Sequence, residues 1–188
     1  MAPTSLDPPT ENVVFRLPSS RLDKSLKRFE SESVQSVCVI PLGESRRTDL
    51  VLGRLQNVDA ICLRSPEQET QWQLMGRSTD RLRLYVAEGH RSAWARHCIS
   101  QAAHVVFVAD ADSNAVGLDA IALAKGLHRD ASLVLVHAAS TSAPTKRPDW
   151  LPRFQAAQIL HIRSENQTDL ERVLRLVTHR AMGVELLP

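Results

Sequence analysis

The run Pro41-Leu42-Gly43-Glu44-Ser45-Arg46-Arg47-Thr48-Asp49 follows an apolar, β-rich stretch and opens a helical pattern. That is where a phosphate-gripping loop would stand. Such a loop needs GxxxxGK[ST], so that backbone N–H groups wrap the phosphates, Lys neutralises them and the hydroxyl holds magnesium. Here Gly43 has no second glycine and there is no lysine. Gly43, Arg46, Arg47 and Thr48 are the residues able to hold a phosphate, weakly, and Glu44 would repel it. A surface turn is therefore the first expectation. Glu88, in Ala87-Glu88-Gly89-His90, stands where a carboxylate would hold magnesium through water. Without a phosphate loop it reads as a loop or capping carboxylate. Asp110 and Asp112 alternate with small residues, but the glycine and glutamate of a calcium loop are missing. Asp112 or Ser113 is expected to cap the helix that follows. No metal site and no bound cofactor are expected.

Other chemistry is thin. The histidines, at 90, 97, 104, 128, 137, 161 and 179, make no HExxH or HxH pattern. No G-x-S-x-G elbow occurs, so no catalytic residue is assigned. Cys38, Cys62 and Cys98 are an odd count without CxxC and are expected to be reduced core residues. The net charge is +2 and the arginines are scattered, with Arg46-Arg47 the only pair, so no nucleic-acid partner is expected. The N-terminal MAPTSLDPPTEN lacks a basic start and an apolar stretch, so the chain is expected to act in the cytoplasm.

The elements that must position these loops follow from hydrophobic periodicity. Residues 1–33 read as a disordered lead-in with a short amphipathic helix, in which Leu22, Leu26 and Phe29 share a face. That helix is expected to pack on the domain or to be left over from a preceding linker, with contact to a membrane surface as the alternative. The ordered domain is expected over 34–182, with a tail at 183–188. Strands are expected near 34–40, 58–63, 82–87, 104–109, 132–137 and 158–162, each a short apolar run. Helices lie between them. Leu50, Val51 and Leu55 should face inward on the first. Ser65-Pro66 starts the second, with Ser65 as N-cap. Trp94, Cys98 and Ile99 should pack from the third, and Leu118, Ile121, Ala122 and Leu127 from the fourth. DWLPRFQAA is a helical turn capped by Asp149. The last helix should bury Leu170, Val173, Leu174 and Val177. Alternating strands and helices predict an α/β fold: a mostly parallel sheet with helices on both faces.

The run Leu84-Tyr85-Val86-Ala87, then Trp94 to Ala102, then Val105 to Val108, resembles a segment of neuropathy target esterase and its relatives, the cyclic-nucleotide-binding patatin-like lysophospholipases. Their pattern is close to LYVAD…TPWTxxCLRQAD.LLLV. The resemblance continues through Leu133 to His137, Trp150-Leu151, Ile159 to Ile162, Asp169 to Leu176 and Arg180 to Val184. It covers roughly 34–186 and is densest from 81. It departs at Glu88, Ala93 and His104, where the family has Asp, Pro and Asp. The resemblance implies a degenerate P-loop-like, Rossmann-like three-layer sandwich of the kind that precedes the patatin catalytic domain. It also implies partners: a patatin catalytic domain or a cyclic-nucleotide-binding-like module, with peripheral membrane association through the parent system. The family's oxyanion loop and catalytic serine have no counterpart in Gly183–Pro188, so its lysophospholipase activity carries over to no residue here. The expectation is a non-catalytic accessory or regulatory domain. A nucleotide-binding switch and a small standalone hydrolase are the alternatives.

Overall fold

The computed structural model describes residues 36–55, 58–75, 81–114, 117–142, 147–154 and 158–181. Contacts divide the chain into Met1–Ser33 and Val34–Pro188, and all the described residues belong to the second unit. The amphipathic helix expected within 1–33 and the tail at 183–188 lie outside the described residues.

The elements alternate as periodicity requires: β1 (Ser36–Pro41), α1 (Arg46–Arg54), β2 (Ile61–Leu63), α2 (Pro66–Leu74), β3 (Arg83–Val86), α3 (Ala93–Gln101), β4 (His104–Asp110), α4 (Leu118–Gly126), β5 (Asp130–His137), a 3-10 turn (Leu151–Arg153), β6 (Gln158–Arg163) and α5 (Gln167–Ala181). The strands form one sheet in the order β2-β3-β1-β4-β5-β6. Every neighbouring pair is parallel. A parallel sheet is covered on both faces, and its strands are continuously apolar rather than alternating. All six residues of β1 are buried accordingly.

Two apolar layers hold the sheet between helices. Cys38, Ile40, Tyr85, Phe107 and Leu133 meet α3, α4 and the 3-10 turn on one face. Val37, Val39, Val106, Val134 and Ile162 meet α1 and α5 on the other. Each fully buried aliphatic chain contributes about 1.5–3 kcal/mol. Phe107 and Phe154 meet edge to face, with centroids 5.5 Å apart.

Side chains start the helices. Ser45, Ser65 and Ser92 cap α1, α2 and α3 by accepting from Arg47, Gln68 and Ala95 backbone N–H groups. Asn166 does the same for α5 through Asp169 N, at 3.0 Å. The start of α4 corrects the sequence expectation. Its N-cap is Gly117, at φ 90° and with no side-chain cap. Asp112 and Ser113 bond elsewhere. The capping role expected of Asp149 also fails, because Trp150 precedes the 3-10 turn.

Four helix faces differ from expectation. Leu50 is exposed, and Leu52 is buried beside Val51 and Leu55. On α4, Leu118 and Leu127 are exposed while Ala120 and Ala124 face the core. Helices α3 and α4 pack against each other on this face, and small residues permit a close approach. Trp94 is half-buried, and Ala95 takes the inner position beside Cys98 and Ile99. On α5, Leu176 is buried where Leu174 is only partly so. Cys38 and Cys98 are buried free thiols, and Cys62 is half-buried. Burial, then the neighbouring Cys98, pushes the Cys38 thiol well above its ordinary value.

Candidate functional site

Strand order decides where a ligand could sit. The chain leaves β1 through α1 on one face of the sheet. It leaves β3 and β4, the two neighbours of β1, through helices on the other face. Crevices therefore open on both sides of the β1 carboxyl end, where open α/β sheets bind ligands. The loop carrying Gly43, Arg46, Arg47 and Thr48 lies between them.

The crevice toward β4 is closed by the chain itself. The Arg47 Nη1 group donates to Asp110 Oδ1 at 2.9 Å and to Asp112 Oδ2 at 2.7 Å. The Ser45 hydroxyl donates to the second Asp110 oxygen at 2.6 Å and accepts from the Arg47 backbone N–H at 3.2 Å. Asp112 N also donates to Asp110 Oδ1 at 2.9 Å. The hydrogen bond to Asp112 holds the Arg47 guanidinium above its ordinary pKa against a partial burial cost, with the Asp110 charge adding to it. Thr48 is buried, and its hydroxyl donates to the Ser45 carbonyl at 2.7 Å. The group that would hold magnesium is thus spent within the first turn of α1. Two carboxylates of the chain itself thus engage the Arg47 guanidinium.

The crevice toward β3 is open. It is a groove of about 380 Å³ lined by Pro41, Gly43, Glu44, Glu88, Gly89, His90, Arg91 and Ser92. Glu44 and Glu88 are exposed carboxylates on its wall, so its charge disfavours a phosphate. Burial, then Arg91, lowers the His90 pKa, partly offset by Asp119 and the Pro41 carbonyl. A neutral imidazole adds no counter-charge for an anion. Arg46 is an exposed residue of α1 and does not line the groove. Among the described residues no group of three or more His, Cys, Asp or Glu side chains is placed to hold a metal ion. No helix among them is long and apolar enough to cross a membrane.

The family model of the neuropathy target esterase family P-loop like domain matches residues 68–183. The chain belongs to that family. The match opens in α2 and closes just beyond α5, so β1, α1 and the loop from Gly43 to Thr48 precede it. A comparison with curated proteins gives no match. A six-stranded parallel sheet flanked by helices is the α/β architecture expected of this P-loop-like family.

The structure thus brings Arg47 to Asp110 and Asp112, which sequence reasoning had weighed separately. Gly43 and Glu88 meet at the groove. The sequence also gave no warning of two buried polar groups. Glu69 is 8% exposed, accepts from Tyr85 Oη at 3.2 Å and bonds His97 Nε2 at 2.7 Å. His137 Nε2 lies 3.0 Å from His161 Nδ1. Both groups join residues far apart in the chain, and neither has a local spacing that could announce it.

Proposed function

We propose that this chain is a non-catalytic accessory and regulatory domain of a neuropathy-target-esterase-type lysophospholipase system. Family membership supports the type of system. One observation carries the non-catalytic reading: the arginine best placed to grip a phosphate is bound to the chain's own Asp110 and Asp112. A nucleotide would have to displace two carboxylates from Arg47 and pass Glu44, with no glycine-rich backbone to replace those bonds. Ser45 gives the hydrolase alternative no support: its hydroxyl donates to Asp110, and among the described residues no histidine is bonded to it as a base. In this reading the partner is a patatin catalytic domain or a cyclic-nucleotide-binding-like module. Lipid hydrolysis belongs to the patatin part, and membrane association and a cytoplasmic location follow from the parent system.

Calorimetric titration with Mg-ATP and Mg-GTP tests the reading. Affinity weaker than ~1 mM, less than about 4 kcal/mol of binding free energy, is expected. Saturable micromolar binding would overturn it in favour of a nucleotide switch. Lysophospholipid turnover above a heat-killed control, retained through two columns and lost when one serine becomes alanine, would instead promote the hydrolase.

A further inference from the structure

The imidazoles of His137 and His161 meet on one face of the sheet, at the carboxyl ends of β5 and β6. In the strand register Leu135 pairs with His161 and His137 with Arg163, so the two histidines are diagonal neighbours. Their rings lie 24° from coplanar with centroids 5.3 Å apart, and His137 Nε2 is 3.0 Å from His161 Nδ1. The centroid separation about equals the N···N distance plus two ring radii, the largest value possible, so the rings meet end to end. The facing lone pairs therefore point at each other rather than converging on a common metal ion. One proton fills the gap, donated by one ring and accepted by the other. His137 is 3% exposed, so no water replaces that bond cheaply.

We propose that this pair is an acid-operated catch for β6, one of the two edge strands of the sheet. A first added proton goes to an outward-facing nitrogen and leaves the N–H···N bond in place. A second leaves two N–H groups face to face with no acceptor between them, and the catch must part. Beside it, Ser164 N donates to the His137 carbonyl at 3.0 Å, so the chain leaving β6 is tied to the same residue. The charged groups acting on the pair are Asp110 at the end of β4, Asp112 just after it, Arg47 on α1 and Arg147 before the 3-10 turn. Burial first, then His161, lowers the His137 pKa, although Asp112 and Asp110 partly oppose this. Burial and then Arg147 lower that of His161. With both folded values below the ordinary one, the unfolded chain binds more protons. The stabilisation is complete above about pH 6.5 and is lost as pH falls through the lower folded values.

Hydrogen exchange on the full chain, corrected for intrinsic rates, tests this at about pH 7.5 and about pH 5. The β6 amides and Ser164 should exchange several-fold faster relative to β1 in acid, and this acceleration should disappear in His161→Gln. Equal acceleration of β6 and β1, or the same acid response in variant and wild type, would overturn the proposal. Imidazole nitrogen spectra of the wild type need no variant. A scalar coupling between His137 Nε2 and His161 Nδ1 is expected near neutral pH and should vanish in acid. Its absence at neutral pH would sink the catch.

Discussion

Helix α2 should be held to the sheet by one carboxylate. Glu69 is its only buried residue, with Trp72 half-buried and covered by Arg83, whose guanidinium carbon lies 5.2 Å from the indole centroid. Glu69→Ala would remove the acceptor of the fully buried Tyr85 hydroxyl and the partner of His97. An orphaned buried hydroxyl costs about 1–3 kcal/mol. The His97 pair adds at most about 1 kcal/mol, because its imidazole is 42% exposed and screened. The sum is roughly 1–4 kcal/mol, which at about 2–4 °C per kcal/mol for a domain of this size lowers Tm by roughly 2–16 °C. A double-mutant cycle with Tyr85→Phe isolates the contact. Tyr85→Phe should cost about 1–2 kcal/mol in wild type and almost nothing after Glu69→Ala, since it then removes an orphan. Tyr85 is the only tyrosine in the chain, so its ionisation can be read directly by ultraviolet absorbance. Burial, then the Glu69 charge, pushes its pKa up to about 12. In Glu69→Ala the titration should move toward the ordinary value while burial keeps it above. An unmoved titration, or an equal Tyr85→Phe cost in both backgrounds, would refute the reasoning.

Three further outcomes follow from single contacts. Asp169 accepts from Arg163 N at 3.0 Å and Nε at 2.8 Å; burial raises its pKa, but the Arg163 bonds and Arg172 outweigh that and hold it below the usual range. Its stabilisation is present above about pH 3.9 and lost as pH falls through the lower folded value. Asp169→Asn should therefore lower Tm near neutrality, with the gap to wild type closing in strong acid. Gly117→Ala would place a Cβ 2.7 Å from Leu42 Cδ2 at φ 90° and should cost about 2 kcal/mol or more in denaturant unfolding. Trp94→Ala should cost about 2–3 kcal/mol, less than a fully buried aromatic. The indole is half exposed, although its Nε1 donates to Val86 O at 3.2 Å and its ring stacks on His97.

The strands were legible because burial on both faces writes itself as an unbroken apolar run. Val105 to Val108 and Leu133 to Val136 leave no other reading, and β4 and β5 contain them. Helix faces were less legible where size and hydrophobicity disagree. On α4 the large Leu118 and Leu127 suggested the inner side, but beside α3 it is Ala120 and Ala124 that are buried, with Ile121 and Leu123 only partly so. On α2 no apolar stripe exists to be read. What fixes it, beside the half-buried Trp72 that packs on the core, is a buried glutamate, whose acidic character in the first turn equally suits an exposed helix start.

The candidate site was half legible for a related reason. Gly43, Arg46, Arg47 and Thr48 could be judged against a phosphate loop because that motif is local, and the missing glycine and lysine are visible in the sequence. The fate of Arg47 is not local. Its partners, Asp110 and Asp112, lie more than sixty residues away and reach it because β4 pairs directly with β1. That adjacency is a property of strand order, which periodicity does not encode. Once the order is known, the same carboxylates that suggested a faint calcium loop become the counter-charge of an arginine. Ser45 then both caps α1 and carries its start to Asp110. The loop after β1 is thus completed by its own chain, through the bonds of Ser45 and Arg47 to Asp110 and Asp112.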